Sequence, residues 1–342
     1  MKISVDGGGL CALENQRFGN YVFSTNLINA LLKYDLKKRY YVYSFCEKPA
    51  NLNPSEQSFY KLLKPRCFFM KGRVSFEEII NRKDIFLGLN QALPLFTRAK
   101  IISFSHGLSF MYFPQFYKTD FNRLHKQFNE IYHRSHMIVV SSIRVKEQLL
   151  QFKCRLKIAV IPYGIPNDMI MASSESTRLP RSCRGERSFL FVGMNHPIKN
   201  IEFIVRAFQK FRENKKYQKY KLYLIGNHGL PYNKNVIVKK KVARKELANL
   251  YKKSVGYLTA SHYESFNLPV LEALSLKCPV IGLESAIIPE LADYVFRARN
   301  LKEFVDQMIL VAEGKRVSYD QAKLVEFFSW KKYVRELVKL YR

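Results

Sequence analysis

Glu264 and Glu272 flank the seven residues Ser-Phe-Asn-Leu-Pro-Val-Leu, shortly after an apolar run at residues 256–260. Such a segment reads as a strand, a tight loop and the start of a helix. The first backbone N–H groups of a helix have no partner within it, so the amides of Ser265, Phe266, Asn267 and Leu268 could hold a phosphate without any side-chain donor. Glu272 would lie about one turn inside that helix, on a face able to reach a ribose. The same spacing is met by a Glu264 that caps the helix and a Glu272 that is ordinary surface. His106 follows the apolar run 101–104, where a lone histidine is otherwise more often a satisfied core residue than a catalytic one. The three glycines after Asp6 could form a flexible turn, and the dinucleotide fingerprint GxGxxG is absent. No DxD follows a strand, and His133-x-x-His136 has no carboxylate cluster beside it, so no metal and no cofactor are expected.

A phosphate-binding loop needs a sheet behind it. In the first half, residues 3–5, 40–45, 101–104, 137–140 and 158–161 read as strands, and 23–33 and 143–152 carry apolar residues at helical spacing. The stretch 162–187 has three prolines, several serines and no apolar period, and it reads as a linker. The alternation then resumes: strands at 189–192, 221–225, 256–260 and 279–282, helices at 201–211, 245–253 and 268–276. Strand and helix alternating in this way argue parallel sheets with crossover helices. The expected class is α/β, with two Rossmann-like, doubly wound domains facing across a cleft at the carboxyl ends of their strands. The domain boundaries expected are 1–165, a linker at 166–187, 188–325, and a basic C-terminal helix at 326–342 that packs on either domain.

The bulk properties agree. A chain of 342 residues exceeds one hydrophobic core, and 47% hydrophobic with 25% charged residues is the composition of a folded globular protein. The six cysteines are scattered without a CxxC pair, which favours a reducing compartment and no disulfide framework. The opening MKISVDGGG lacks the basic and long apolar regions of a leader, and no run of about 18 apolar residues occurs, so a cytoplasmic chain is expected, with peripheral association at the inner face of a membrane as an addition. The net charge of +29 is spread over small clusters such as Lys37-Lys38-Arg39, Lys239-Lys240-Lys241 and Lys331-Lys332. It favours an anionic partner: phosphorylated substrate, anionic lipid or polyanion. Solvated surface lysine meets the same numbers. Nucleic acid is disfavoured, because neither zinc-finger spacing nor an RNP-like aromatic pattern accompanies the charge.

The stretch from Ser261 to Ile281, with its EX7E pattern, its Pro-x-Leu-Glu-Ala core and the Pro-Val-Ile that follows, resembles the signature of the GT-B retaining glycosyltransferases called family 4, the glycosyl transferases group 1. Asn267 stands where the family usually has Gly, and Asn also tolerates φ > 0. Phe191-Val-Gly-Met-Asn-His-Pro-Ile-Lys-Asn200 is similar to the family's strand, glycine loop and helix start. Ile288-Pro-Glu290 and Phe328-Ser-Trp330 resemble two further family segments. Ile101 to Pro114 is similar to the family's His-Asp-Leu segment with Gly107 in place of the Asp, and Asp6-Gly-Gly-Gly with Arg17-Phe-Gly-Asn20 resembles its first glycine loop.

The resemblance implies a role for each position. His106, Lys199 and Glu264 would be the catalytic groups: Lys199 neutralising the donor diphosphate, Glu264 facing the donor sugar, His106 touching it. Gly19, Gly193, Asn195, Ser265, Phe266, Asn267 and Leu268 would line the donor with Lys199, and Glu272 would hold the ribose. The implied reaction moves a hexose from a nucleotide sugar, GDP- or UDP-linked, to an acceptor with retention, the leaving phosphate helping to deprotonate the acceptor; the basic surface adds the expectation of a glycan or lipid-linked acceptor, as in cell-surface polysaccharide biosynthesis. The competing expectations are a non-catalytic GT-B-fold protein that binds a polyanion or membrane, and another sugar-nucleotide enzyme such as an epimerase.

Overall fold

The computed structural model describes residues 1–13, 19–52, 56–174, 187–226 and 234–342. They form two compact units, Met1–Gly164 together with Phe328–Arg342, and Ile165–Phe327.

The first unit runs β1 (Lys2–Asp6), α1 (Gly19–Tyr34), β2 (Arg39–Ser44), β3 (Ser58–Leu62), α2 (Ser75–Ile80), β4 (Ile85–Gly88), β5 (Lys100–Ser105), α3 (Ser109–Tyr112), α4 (Phe121–Arg134), β6 (Met137–Val140), α5 (Ile143–Gln151) and β7 (Lys157–Val160). Its seven strands are all parallel, in the order β3-β2-β1-β4-β5-β6-β7. The inner strands β1, β4, β5 and β6 are buried along almost their whole length, as their continuous apolar runs require of a sheet covered on both faces. Strand order reverses between β1 and β4, where doubly wound sheets open a crevice. Asp6 ends β1 there, accepting hydrogen bonds from the Gly8 amide at 2.9 Å and from the Asn90 amide and side chain at 3.1 and 3.0 Å. Burial pushes its carboxyl up despite those donors.

The second unit runs α6 (Asn167–Ser174), β8 (Ser188–Val192), α7 (Ile201–Arg212), β9 (Lys221–Ile225), β10 (Val236–Lys239), α8 (Arg244–Lys253), β11 (Gly256–Thr259), α9 (Leu268–Ser275), β12 (Val280–Leu283), β13 (Phe296–Ala298), α10 (Leu301–Ala312) and α11 (Gln321–Phe327). Six parallel strands take the order β10-β9-β8-β11-β12-β13, which reverses between β8 and β11. Aromatic side chains fill much of its core, with Phe211 stacked on Tyr217 at 4.4 Å and edge-on to Phe189 at 5.3 Å.

The stretch expected as a linker is partly a built element. Residues 167–174 form α6, whose Asp168 pairs with Arg244 at 2.5 Å, so this part belongs to the second unit. Its one short apolar run, Met169 to Ala172, does not show a helical period, and packing on α8 and α9 holds it. Residues 175–186 lie outside the described residues.

The last helix, α12 (Trp330–Lys339), belongs to the first unit and packs on α1. Trp330 is 3% exposed and approaches Phe23 and Tyr333, with ring centroids 6.1 and 5.2 Å away. Gly164 passes so close that a Cβ there would lie 2.6 Å from the Trp330 backbone nitrogen and 2.7 Å from its ring carbons. Gly164→Ala is therefore expected to cost about 1–3 kcal/mol, as overpacking does, read as a lower urea midpoint. An unchanged midpoint would mean that α12 is not held at this contact.

The cysteine expectation is corrected. Cys11 and Cys46 form a disulfide, with Cα atoms 5.4 Å apart. They are 35 residues apart in sequence and meet because β1 and β2 are neighbours, which spacing alone does not show. Cys67, Cys154 and Cys278 are free thiols, and Cys183 lies outside the described residues. A disulfide is a feature of oxidising surroundings, so the cysteines no longer argue for a reducing compartment.

Candidate active site

The reversal between β8 and β11 brings two loops together. After β8, the Gly193 N–H is already used by the Ile225 carbonyl at 3.0 Å, so any anion contact in this loop comes from the residues that follow it. Met194 and Asn195 are exposed; His196 then caps a single turn, Pro197–Lys199, its Nδ1 accepting from the Ile198 N–H at 3.2 Å. After β11 the chain returns along this turn, the His262 N–H donating to the Ile198 carbonyl at 2.8 Å. That bond sets Lys199 against Glu264. The Lys199 ammonium donates to Glu264 Oε1 at 2.6 Å, and the Ser261 hydroxyl donates to the same oxygen at 2.7 Å. The two side chains are only 22% and 11% exposed. A lysine so held has further N–H donors to offer a second anion, in a place where water screens little.

Glu264 runs straight into a fixed turn. Asn267 takes φ +67, the left-handed conformation that Asn adopts more readily than other side chains. Its side-chain amide donates to Thr259 Oγ1 and to the Ala286 carbonyl, both at 3.1 Å, and so locks the turn to the end of β11. Helix α9 then starts at Leu268, with a proline in its first turn, where the missing N–H costs nothing. Phe266 and Leu268 bury their side chains, so only their backbone can face a ligand; Ser265 is half-buried. The N-terminus of α9 thus opens four residues after Glu264, whose carboxylate holds the Lys199 ammonium.

Glu272 is not ordinary surface: it is 3% exposed. Its Oε1 accepts from the Arg244 guanidinium at 2.7 Å and its Oε2 from the Tyr251 hydroxyl at 3.1 Å. Arg244 also holds Asp168, through two nitrogens at 2.5 and 3.1 Å. Burial disfavours the guanidinium charge, but Glu272 and Asp168 outweigh it and raise its pKa. Sequence reading missed Arg244. The signal was present: Arg244 and Tyr251 are seven residues apart on α8, two turns on one face, opposite a glutamate on the next helix.

Residues 186–313 match the family described as glycosyl transferases group 1. This segment, which holds the Lys199 and Glu264 loops, is similar to that family. A probable sucrose-phosphate synthase from Thermosipho melanesiensis is 26% identical over 165 residues, 42% of this chain and 38% of the relative. A serotype-specific mannosyltransferase, WbdA, from Escherichia coli is 25% identical over 172 residues, 44% of this chain and 20% of the relative. The aligned part thus spans well under half the length of either curated relative. Among solved structures, the sucrose-phosphate synthase from Thermosynechococcus elongatus superposes with a TM-score of 0.73 at 16% identity, covering 100% of this chain and 98% of its own. The fold is GT-B.

The group 1 segment holds Lys199, Glu264 and Glu272 together with Gly193, Asn195 and the 265–268 turn. The remaining expected residues, His106 and Gly19, are in the first unit. Gly19 is exposed and opens α1; Arg17 lies outside the described residues. His106 follows β5, its ring edge-on to Phe23 at 5.1 Å. Nε2 meets the Leu89 carbonyl at 2.6 Å and so carries the proton, and Nδ1 accepts from the Tyr163 hydroxyl at 2.9 Å. Gly107, where the group 1 enzymes usually have Asp, takes φ +107, a backbone conformation that a side chain disfavours.

Burial lowers the His106 pKa, against the smaller opposite effect of the Leu89 bond. The sign of the consequence follows. Below about pH 6.5 the unfolded chain takes up a proton that the folded imidazole refuses, so stability falls as pH drops through that value. His106→Gln is expected to remove this part of the slope, measured as urea midpoints at mildly acid and neutral pH. An identical slope in the variant would show that the ring is not held neutral. Among the described residues, no three His, Cys, Asp or Glu side chains gather as a metal site would require, and no helix is long and apolar enough to cross a membrane.

Proposed function

We propose that this chain is a retaining glycosyltransferase that moves a hexose from a GDP- or UDP-sugar to a glycan or lipid-linked acceptor, in cell-surface polysaccharide biosynthesis at a membrane surface. The observation that carries it is the Lys199–Glu264 pair beside the left-handed Asn267 turn that opens α9, at the point where the second sheet reverses its strand order. The family match to this segment and the GT-B fold support the reaction class. A mannosyltransferase described as serotype-specific supports the cell-surface product.

Cleaving the donor leaves a nucleoside diphosphate while the anomeric carbon becomes positive. Lys199 and the amides at the start of α9 meet the leaving charge, and their positions are set before the substrate arrives. Glu264 holds Lys199 in place and would face the hydroxyls of the donor sugar. Glu272 would take the ribose through the acceptor capacity that Arg244 and Tyr251 leave on its carboxylate, which as an ionised group has about four lone-pair sites. His106 would meet the sugar by exchanging its Leu89 or Tyr163 bond. No residue is assigned as a general base, the leaving phosphate taking the acceptor proton, and no metal enters the scheme. The experiment is NMR of the product from the accepted donor, with and without a chelator. The donor's anomeric configuration should be kept and the rate unchanged by chelation; an inverted product would overturn retention, and loss of rate would overturn metal independence.

A further inference from the structure

Helix α2 is built inside out. Of its six residues Ser75 and Glu78 are buried, while Phe76, Ile79 and Ile80 are 66%, 62% and 60% exposed. These three stand at i, i+3 and i+4, so a single apolar face is turned to solvent. Polar bonds fix that orientation. Glu78 accepts from the Tyr43 hydroxyl at 2.9 Å and the Thr97 hydroxyl at 2.6 Å, and Ser75 Oγ donates to the Lys71 carbonyl at 2.7 Å while accepting from the Leu95 amide at 2.7 Å. The last bond brings Leu95 and Phe96, both more than half exposed, next to the start of α2. On the other flank Phe68 is 77% exposed and takes φ +56, which a bulky residue rarely adopts. It lines, with Phe76 and Arg73, an open cavity of about 470 Å³. Single exposed apolar residues are normal; six gathered on one side of a domain are not.

The surrounding charge narrows what this face fits. Residues 61–98 hold eight Lys and Arg against three acids. Of those acids Glu78 is buried, Glu77 pairs with Lys61, and Asp84 accepts from the Lys2 backbone. Arg66, Arg73, Arg82 and Arg98 are all exposed. A second copy would set like charge against like charge, and a nucleic acid would leave the aliphatic side chains in water. An anionic bilayer satisfies both features: rings and aliphatic chains enter the boundary between headgroups and acyl chains, and guanidinium groups meet lipid phosphates.

We propose that this face of the first unit, centred on Phe68, Phe76 and Ile79, docks on an anionic membrane surface. It rests on the reading of a lipid-linked acceptor for its purpose, and it names a contact distinct from the Lys239-Lys240-Lys241 cluster of the second unit.

The test is co-sedimentation of the full chain with phosphatidylcholine vesicles, with and without phosphatidylglycerol, at low and high salt. Wild type should bind only the anionic vesicles, and less at high salt. Phe68→Ser/Phe76→Ser/Ile79→Ser, and separately Arg66→Gln/Arg73→Gln/Arg82→Gln, should each weaken binding about tenfold or more. Lys239→Gln/Lys240→Gln/Lys241→Gln should bind as wild type. Melting curves matching wild type show that the variants are folded. The proposal is overturned by a wild type that ignores anionic vesicles, by folded triple variants that bind undiminished, or by light scattering that shows a dimer lost in the Phe68 triple variant. Nucleotide release from a soluble donor without lipid reads the Lys199 site separately, so either reading can fail alone.

Discussion

Lys199→Ala lowers kcat/KM for the donor by about 10²–10³-fold, equivalent to about 2.7–4 kcal/mol of transition-state stabilisation, the range seen when one preorganised donor to developing charge is removed. The loss should fall mainly on kcat, because the interaction strengthens as the diphosphate gains charge. Its size rests on burial: Lys199 is 22% exposed and anchored by Glu264 at 2.6 Å. Lys199→Arg keeps the charge but changes its shape and reach, and should retain only part of the rate. Lys199→Ala also takes from Glu264 this cation while the Ser261 hydroxyl bond stays, which costs about 1–3 kcal/mol of stability. Steady-state kinetics below the melting range separate the two effects. A fold-change under about threefold in kcat/KM, less than 1 kcal/mol, would remove Lys199 from the chemistry.

Arg244→Ala is the largest expected stability effect. It strips the Glu272 carboxylate, 3% exposed, of its cation and leaves only the Tyr251 hydroxyl at 3.1 Å. Removing one partner of a buried pair costs about 3–5 kcal/mol, and because the Arg244 side chain is 38% exposed the lower end applies, about 3 kcal/mol. It also releases Asp168, and with it the anchor of α6. Arg244→Met combined with Glu272→Leu should regain much of that stability, since apolar replacement of both partners removes the uncompensated charge. If Glu272 holds the ribose, the double variant stays folded but binds donor poorly. A double variant as active as wild type would make the pair purely structural.

The legible parts of this chain were those where one physical cause dominates. Inner strands such as β1, β5, β6 and β11 are buried on both faces and announce themselves as apolar runs; α7 and α8 show a clear helical period. The strands not anticipated, β3, β4, β10 and β13, are three to five residues long. Three of them lie in the outer half of their sheets or at an edge, where half-burial dilutes the pattern. Helix α2 reads against its own environment, since its buried residues are Ser75 and Glu78, and only the partners Tyr43, Thr97 and Leu95 explain that. At the site, the Lys199 loop and the Glu264 loop were each readable as a motif in its own stretch of chain. The Arg244 contacts with Glu272 and Asp168 and the Cys11–Cys46 bond carry no motif of their own, and only the packing of α6, α8 and α9 and the pairing of β1 with β2 decide them.

Nucleotide release by the wild-type chain from a panel of UDP-, GDP-, ADP- and dTDP-sugars, with Lys199→Ala and Glu264→Ala beside it, tests the central claim most directly. One donor should be turned over, and both folded variants should lose most of that turnover. A folded wild type that neither cleaves nor binds any of these donors would contradict the claim.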